Sequence, residues 1–303
     1  GLATPGKTRN LGDKKGNAIY MVDAVSGTEL WSARGPNLTG DATNYDANPA
    51  YAAKLILTNM THAIPSNVTV IDSDNDGYSD RMYVGDLAGQ LWRFNITNGN
   101  SATSLVSATR IATLGSTSVS DIANNRTFYN APDVSMMIDT SGKYYYNIAI
   151  GSGDRSLPKS NTTTLDRFYS IRDYVTDPIV TAITESKLFI TKGDTPIPDS
   201  NTFGWMVNLG ASEKSLAQST SLSGVVMFTT FTPDNNSLYA CTPTIGKSTS
   251  YAIKIASAQK AFDKVSDEGV ATTGLPTQIV PFNTKGIISS VTGESINLSN
   301  NLS

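Results

Sequence analysis

The sequence predicts an all-β fold of propeller type, and three observations predict it. A hairpin pattern, Tyr…Asp…Gly…Leu-Trp, occurs as Tyr20, Asp23, Gly27, Leu30-Trp31 and again as Tyr83, Asp86, Gly89, Leu91-Trp92. Short apolar, strand-like runs alternate with Gly-containing turns along most of the chain. No segment keeps apolar residues at helical spacing over three turns. A hairpin that returns with its aromatic residues in place favours a propeller over a sandwich, because radial repetition reuses one blade motif.

In chain order, residues 1–16 mix Gly, Pro, Lys and Asn without periodicity and read as a loop or an entry strand. Residues 17–24 form a strand that turns through 25–28 into 29–31, a hairpin closed by a glycine turn. Residues 64–71 lead into an acidic stretch, and 81–86 and 90–94 form the second hairpin around the 87–89 turn. Residues 166–173 and 249–255, the latter followed by 257–260, echo the pattern weakly. The tyrosines stand about 60–85 residues apart, longer than the roughly 40–50 of regular propeller repeats, so insertions are expected between blades. Further strands are expected at 144–150, 187–191, 205–209, 224–231, 278–282 and 286–291. Trp31 and Trp92 are expected to pack between neighbouring blades, since recurring aromatic motifs are a cue for blade packing. The chain is expected to form a single domain over residues 1–303.

Composition narrows the functions. The chain has 303 residues, is 39% hydrophobic and 16% charged, and carries a formal net charge of −3. So few Lys and Arg argue against a nucleic-acid surface. No apolar run is long enough to cross a bilayer, and no signal peptide is visible at Gly1. Cys241 is the only cysteine, which rules out an internal disulfide or a cysteine zinc cluster. It reads as a dispensable buried thiol or as one paired outside the chain. His62 is the only histidine and reads as a surface or turn residue, which leaves no material for multi-histidine metal sites. Asn-x-Ser/Thr sequences at Asn37, Asn67 and Asn95 decide nothing in a chain so rich in these residues. Asp154 and Arg155 sit in a Gly-rich turn with no helix N-terminus behind it, so an ion-paired turn is expected and not a phosphate cradle.

The strongest chemical signal is Asp72-Ser73-Asp74-Asn75-Asp76-Gly77-Tyr78-Ser79-Asp80. Asp72, Asp74 and Asp76 fill the first, third and fifth places of a calcium loop, and Gly77 the sixth, where the chain must turn sharply. Tyr78 would offer its backbone carbonyl, and Asp80 would bind directly or through water. A solvated acidic turn uses the same residue types. Four aspartates within nine residues, however, repel one another without a counter-ion. The twelfth place holds Tyr83 in place of the bidentate Glu of an EF-hand, and residues 81–86 read as a strand. This is therefore a calcium loop feeding a β-strand, with an expected affinity of about 10⁻⁶ to 10⁻³ M.

Residues 16–31 resemble the blade motif of quinoprotein-like propellers. Residues 64–94, with the calcium loop and the Tyr83-Val84-Gly85-Asp86-Leu87-Ala88-Gly89-Gln90-Leu91-Trp92 run, closely resemble the C-terminal domain of PilY/PilC-type proteins. These are the tip-associated adhesin and assembly factors of bacterial type IV pili. Residues 129–134, 150–155, 166–173, 204–205 and 224–231 agree, so the resemblance spans nearly the whole chain. It implies a modified β-propeller with one Ca²⁺ in a hairpin at 64–96, held by Asp72, Asp74, Asp76, Tyr78 and Asp80. It implies that calcium is linked to pilus extension and retraction and to surface attachment. Pilin and minor pilin subunits and host or abiotic surfaces would be the partners, at the pilus tip, the cell surface or the outer membrane. It places the chain's start inside the propeller, with the family's upstream blades outside it. There is no Arg-Gly-Asp tripeptide, since Arg34 is followed by Gly35 and Pro36. The alternatives are a quinone-dependent dehydrogenase, disfavoured because Cys241 stands alone, and a generic calcium-stapled surface module. The reading is a protein without enzymatic activity.

Overall fold

The computed structural model describes residues 15–36, 53–118, 120–159, 162–234, 246–261, 270–273, 278–282, 286–288 and 295–296. The glycine turns expected from the sequence build the sheets. β1 (Ala18–Val22) and β2 (Glu29–Arg34) form an antiparallel hairpin with Ala18 opposite Arg34, and β3 (Leu55–Ile56) joins β2 in parallel. The turn closes because Asp23 Oδ1 accepts the Ser26 and Val25 amides, and Gly27 takes a φ of 70°. The second sheet is an antiparallel meander of β4 (Thr69–Ile71), β5 (Arg81–Gly85), β6 (Gln90–Ile96) and β7 (Val106–Thr113). Its central turn needs Gly89, whose φ is 71° and whose added Cβ would stand 2.7 Å from the Gly115 backbone. Buried Asp86 holds this turn by accepting the Ala88 and Gln90 amides and the Trp92 indole N–H.

The third sheet contains β8 (Asp133–Ile138), β9 (Tyr144–Gly151), β10 (Arg167–Tyr174), β11 (Phe189–Ile190) and β12 (Gly204–Asn208), in the order β8-β9-β10-β12-β11. The long connection from β10 to β12 lies within this sheet and not between two sheets, where insertions are expected. It carries the 3₁₀ turn Glu185–Lys187 before the two-residue β11, so only residues 189–190 of the expected 187–191 strand form one. The fourth sheet is β13 (Thr220–Leu222), β14 (Val225–Thr232), β15 (Lys247–Lys254) and β16 (Val270–Thr273). The fifth is β17 (Val280–Phe282), β18 (Gly286–Ile288) and β19 (Ser295–Ile296). Among the described residues there is no α-helix. Cys241, Asn37 and residues 289–291 of the expected 286–291 strand lie outside the described residues.

Strand alternation stacks the sheets face to face in chain order, because successive side chains point to opposite faces. On β5, Met82 and Val84 meet Ile19 and Trp31 of the first sheet, while Tyr83 faces Tyr146, Ile148 and Tyr169 of the third. On β10, Tyr169 and Ile171 face the second sheet, and Phe168 packs with Val226 and Phe228 of the fourth. Strands covered on both faces read as continuous apolar runs, which is why β9 is buried from Tyr145 through Gly151. Trp31 and Trp92 both lie in the layer between the first and second sheets, as expected of blade-packing residues. The Trp31 ring meets Phe94 edge-on at 6.2 Å. His62 departs from expectation: it is buried at 5% exposure, with Nδ1 3.0 Å from the Thr61 hydroxyl. In the Asp154 turn, Asp154 is buried and accepts from the Ser156 amide and hydroxyl, while Arg155 is exposed.

Polar groups are pinned inside this stack. Arg93 of β6 donates to both carboxylate oxygens of Asp173 on β10, at 2.6 and 2.8 Å. The Tyr83 hydroxyl and the Ile179 amide donate to the same carboxylate. Asp166, at the start of β10, accepts the Ser152 hydroxyl at 2.6 Å. Burial pushes its carboxyl up to about 6, against the pull of Ser152 and of nearby Lys214 and Arg126. The folded chain therefore holds this proton more tightly than the unfolded chain does. The associated stability is full below about pH 4 and is lost as pH rises through about 6. Asp166→Asn is expected to flatten that fall, read from urea unfolding midpoints at about pH 4 and about pH 7.

Candidate metal centre

The acidic stretch is the connection between β4 and β5, and the sheet sets its ends. The Asp80 amide donates to Ile71 O at 2.8 Å, and the Ile96 amide donates to Asp80 O at 2.7 Å. Asp80 is thus fixed between β4 and β6, while residues 72–78 run out from the sheet, mostly exposed. The loop folds back through its own amides. Asp72 accepts the Asn75 amide on Oδ1 at 2.7 Å and the Gly77 amide on Oδ2 at 2.9 Å. Asn75 has a φ of 62° and Gly77 of 90°. A Cβ on Gly77 would meet nothing within 4 Å, so backbone conformation and not space selects glycine there.

This curl brings carboxylate oxygens of Asp72, Asp74 and Asp80 within 4.8 Å of one another. Two oxygens bound to one calcium ion at about 2.3–2.6 Å stand at most about 5 Å apart, so the three fit a single hard cation. The donor set is all oxygen, which suits Ca²⁺ or Mg²⁺ better than a metal that prefers nitrogen or sulfur. Asp80 is the best prepared of the three. The Ser73 hydroxyl and amide donate to its Oδ2 at 2.5 and 2.7 Å and hold its carboxyl below the usual range. Asp76 is not brought into this group; its Oδ1 accepts the Tyr78 amide at 2.8 Å. The Tyr78 side chain is exposed. The sequence reading passed over Ser73, although its place beside the first aspartate is where a local cap would stand.

No family model matches this sequence, and no curated protein matches it. The fold is similar to the crystal structure of the Pseudomonas aeruginosa PilY1 C-terminal domain, with a TM-score of 0.60 and 16% sequence identity. The similarity covers 92% of this chain and 66% of that one, so the chain spans just under two thirds of the structure it resembles. The likeness is one of fold: all-β, with sheets stacked as propeller blades.

Proposed function

We propose that this chain is a calcium-binding domain of a type IV pilus-associated adhesin or assembly factor, acting outside the cell without catalytic turnover. The convergence of Asp72, Asp74 and Asp80 on a loop rooted in the second sheet carries the reading. The fold likeness to the PilY1 C-terminal domain supports the pilus assignment. Asp72, Asp74 and Asp80 would hold the ion, with Asp76 and the Tyr78 carbonyl completing the set. Bound calcium would neutralise the carboxylates and tie the exposed loop to the sheet edge that Asp80 anchors. Filled and empty loops then present different surfaces to pilin and minor pilin subunits or to a host or abiotic surface. That difference is the basis for calcium control of extension against retraction.

Titration calorimetry tests the metal. Wild type is expected to bind one Ca²⁺ with a dissociation constant of about 10⁻⁶ to 10⁻³ M, and Mg²⁺ more weakly because it gives up water reluctantly. At a hundredfold excess the folded state gains about 2.7 kcal/mol, visible as a higher melting temperature. Asp74→Asn keeps the shape of a turn acceptor but removes a charge, and is expected to weaken binding about tenfold or more. Asp76→Asn is expected to cost less. Equal heats from wild type and Asp74→Asn would reduce the loop to an acidic turn. Retention of pilin or minor pilin subunits in calcium but not in chelator separates the pilus reading from a generic surface module. Dye-linked alcohol oxidation with added pyrroloquinoline quinone would overturn the non-enzymatic reading.

A further inference from the structure

The third sheet carries a second feature with binding chemistry. A cavity of about 840 Å³ opens between the 139–143 turn, the 177–184 segment and the 197–203 loop. Pockets of about 300–1,000 Å³ with apolar walls and a few polar groups are the usual form of small-ligand sites. Ile179, Ile183 and Phe203 supply apolar wall. Arg172 and Tyr145 are lining residues that are themselves buried, and so form the floor.

The floor is chemically incomplete. Three arginines are buried among the described residues: Arg93, Arg126 and Arg172. Arg93 is paired with Asp173 and Arg126 with Glu185. Arg172 has no acidic partner among the described residues. Its Nη1 and Nη2 donate to the backbone carbonyls of Asn201 and Ala256, at 3.3 and 2.7 Å, and its guanidinium lies 5.2 Å from the Tyr145 ring centroid. Its Nε and the Tyr145 hydroxyl are buried with no hydrogen-bond partner. A buried cation without a counter-charge is costly, and so is each unmade hydrogen bond. Asp139, Asp177 and Asp199 line the same cavity together with Lys143 and Lys187, so side chains of both charges are present there. The Asp139 carboxylate is already engaged by the Tyr174 hydroxyl at 3.0 Å.

We propose that this cavity binds a carboxylate carried on an apolar body, with the acid group paired to Arg172 and Tyr145 and the apolar part against Ile179, Ile183 and Phe203. A modest rotation of Tyr145 and Arg172 towards the incoming oxygens satisfies both orphaned donors. The acid can come from a free aliphatic acid or from the C-terminus of an apolar peptide, and both present the same group. The site is separate from the acidic loop and does not depend on calcium.

Calorimetry on the whole chain with sodium octanoate, octylamine, and an acetylated apolar tetrapeptide as free acid and as amide provides the test. Octanoate or the peptide acid is expected to bind, and octylamine and the peptide amide are expected to bind about tenfold more weakly or less, since the charge-assisted bonds are lost. Tighter binding of the peptide acid than of octanoate identifies a chain terminus as the source, and the reverse identifies a free acid. Arg172→Gln is expected to weaken binding about tenfold or more, with partial recovery in Arg172→Lys. If Arg172→Gln does not fold, Thr202→Trp, an exposed lining position, fills the mouth and is expected to block binding. Failure of both acids to bind wild type, equal binding of octylamine, or unchanged affinity in the folded variants would overturn the site.

Discussion

Asp173→Ala is expected to destabilise the protein by about 3–5 kcal/mol, the cost of leaving one member of a buried ion pair without its partner. Asp173 is fully buried and receives two bonds from Arg93 Nη1, one from the Tyr83 hydroxyl and one from the Ile179 amide. The variant strands a guanidinium that is only 3% exposed, together with two further donors. The pair also crosses from the second sheet to the third, so the loss falls on the layer that joins them. Urea unfolding of the variant measures it, and a loss under about 1 kcal/mol would mean that water replaces the carboxylate. The double variant Arg93→Met/Asp173→Leu is the control. Replacing both charges by apolar groups is often neutral or better, so it is expected to recover most of the loss.

Phe228→Ala is expected to cost about 3–5 kcal/mol, the range for truncating a large buried aromatic residue. The Phe228 ring is stacked on Phe168 at 3.6 Å and lies 4.8 Å from the Tyr251 ring, nearly parallel to both. Phe168 continues the packing to Trp205 at 6.3 Å. Truncation opens a void between the third and fourth sheets, and neighbours held by sheet registers on both sides cannot collapse into it. Phe228→Leu, which keeps more of the volume, is expected to lose less. Equal losses in the two variants would show that stacking geometry, and not filled volume, is what holds this layer.

The parts of the fold legible in the sequence were those with a local cause. The Gly27 and Gly89 turns announce themselves because positive φ demands glycine, and each has an aspartate to cap it. β5, β9 and β14 stand out because strands covered on both faces are largely apolar, and β6 because it carries the recurring Leu91-Trp92 pair. β7, with Arg110 and Ser107 among its residues, and β13, Thr-Ser-Leu, carry no such signal. These lie towards the sheet margins, where one side of the strand needs no cover and polar residues suffice. β3 is two residues long and exists only because β2 offers it a parallel edge.

The acidic loop divides in the same way. Alternating aspartates and a glycine at the sixth place are properties of the chain read in one direction, and they mark Asp72, Asp74, Asp76, Tyr78 and Asp80 as candidate ligands without any structure. That Asp72, Asp74 and Asp80 meet while Asp76 turns to the Tyr78 amide depends on the tertiary frame, in which the ladder bonds from Asp80 to Ile71 and Ile96 fix one end of the loop. Residues far apart in sequence leave no such mark. His62 reads as a turn residue until packing buries it, and Arg172 reads as one charge on a strand until the Asn201 and Ala256 carbonyls accept from it with no ion pair among the described residues. Sequence by itself determined the hairpins, the blade-like repetition and the oxygen-rich loop, because each depends on backbone geometry and side-chain chemistry within a few residues. Only the tertiary structure decided which charges are paired, which stay alone and where a cavity remains, because those depend on segments brought together by burial of apolar faces.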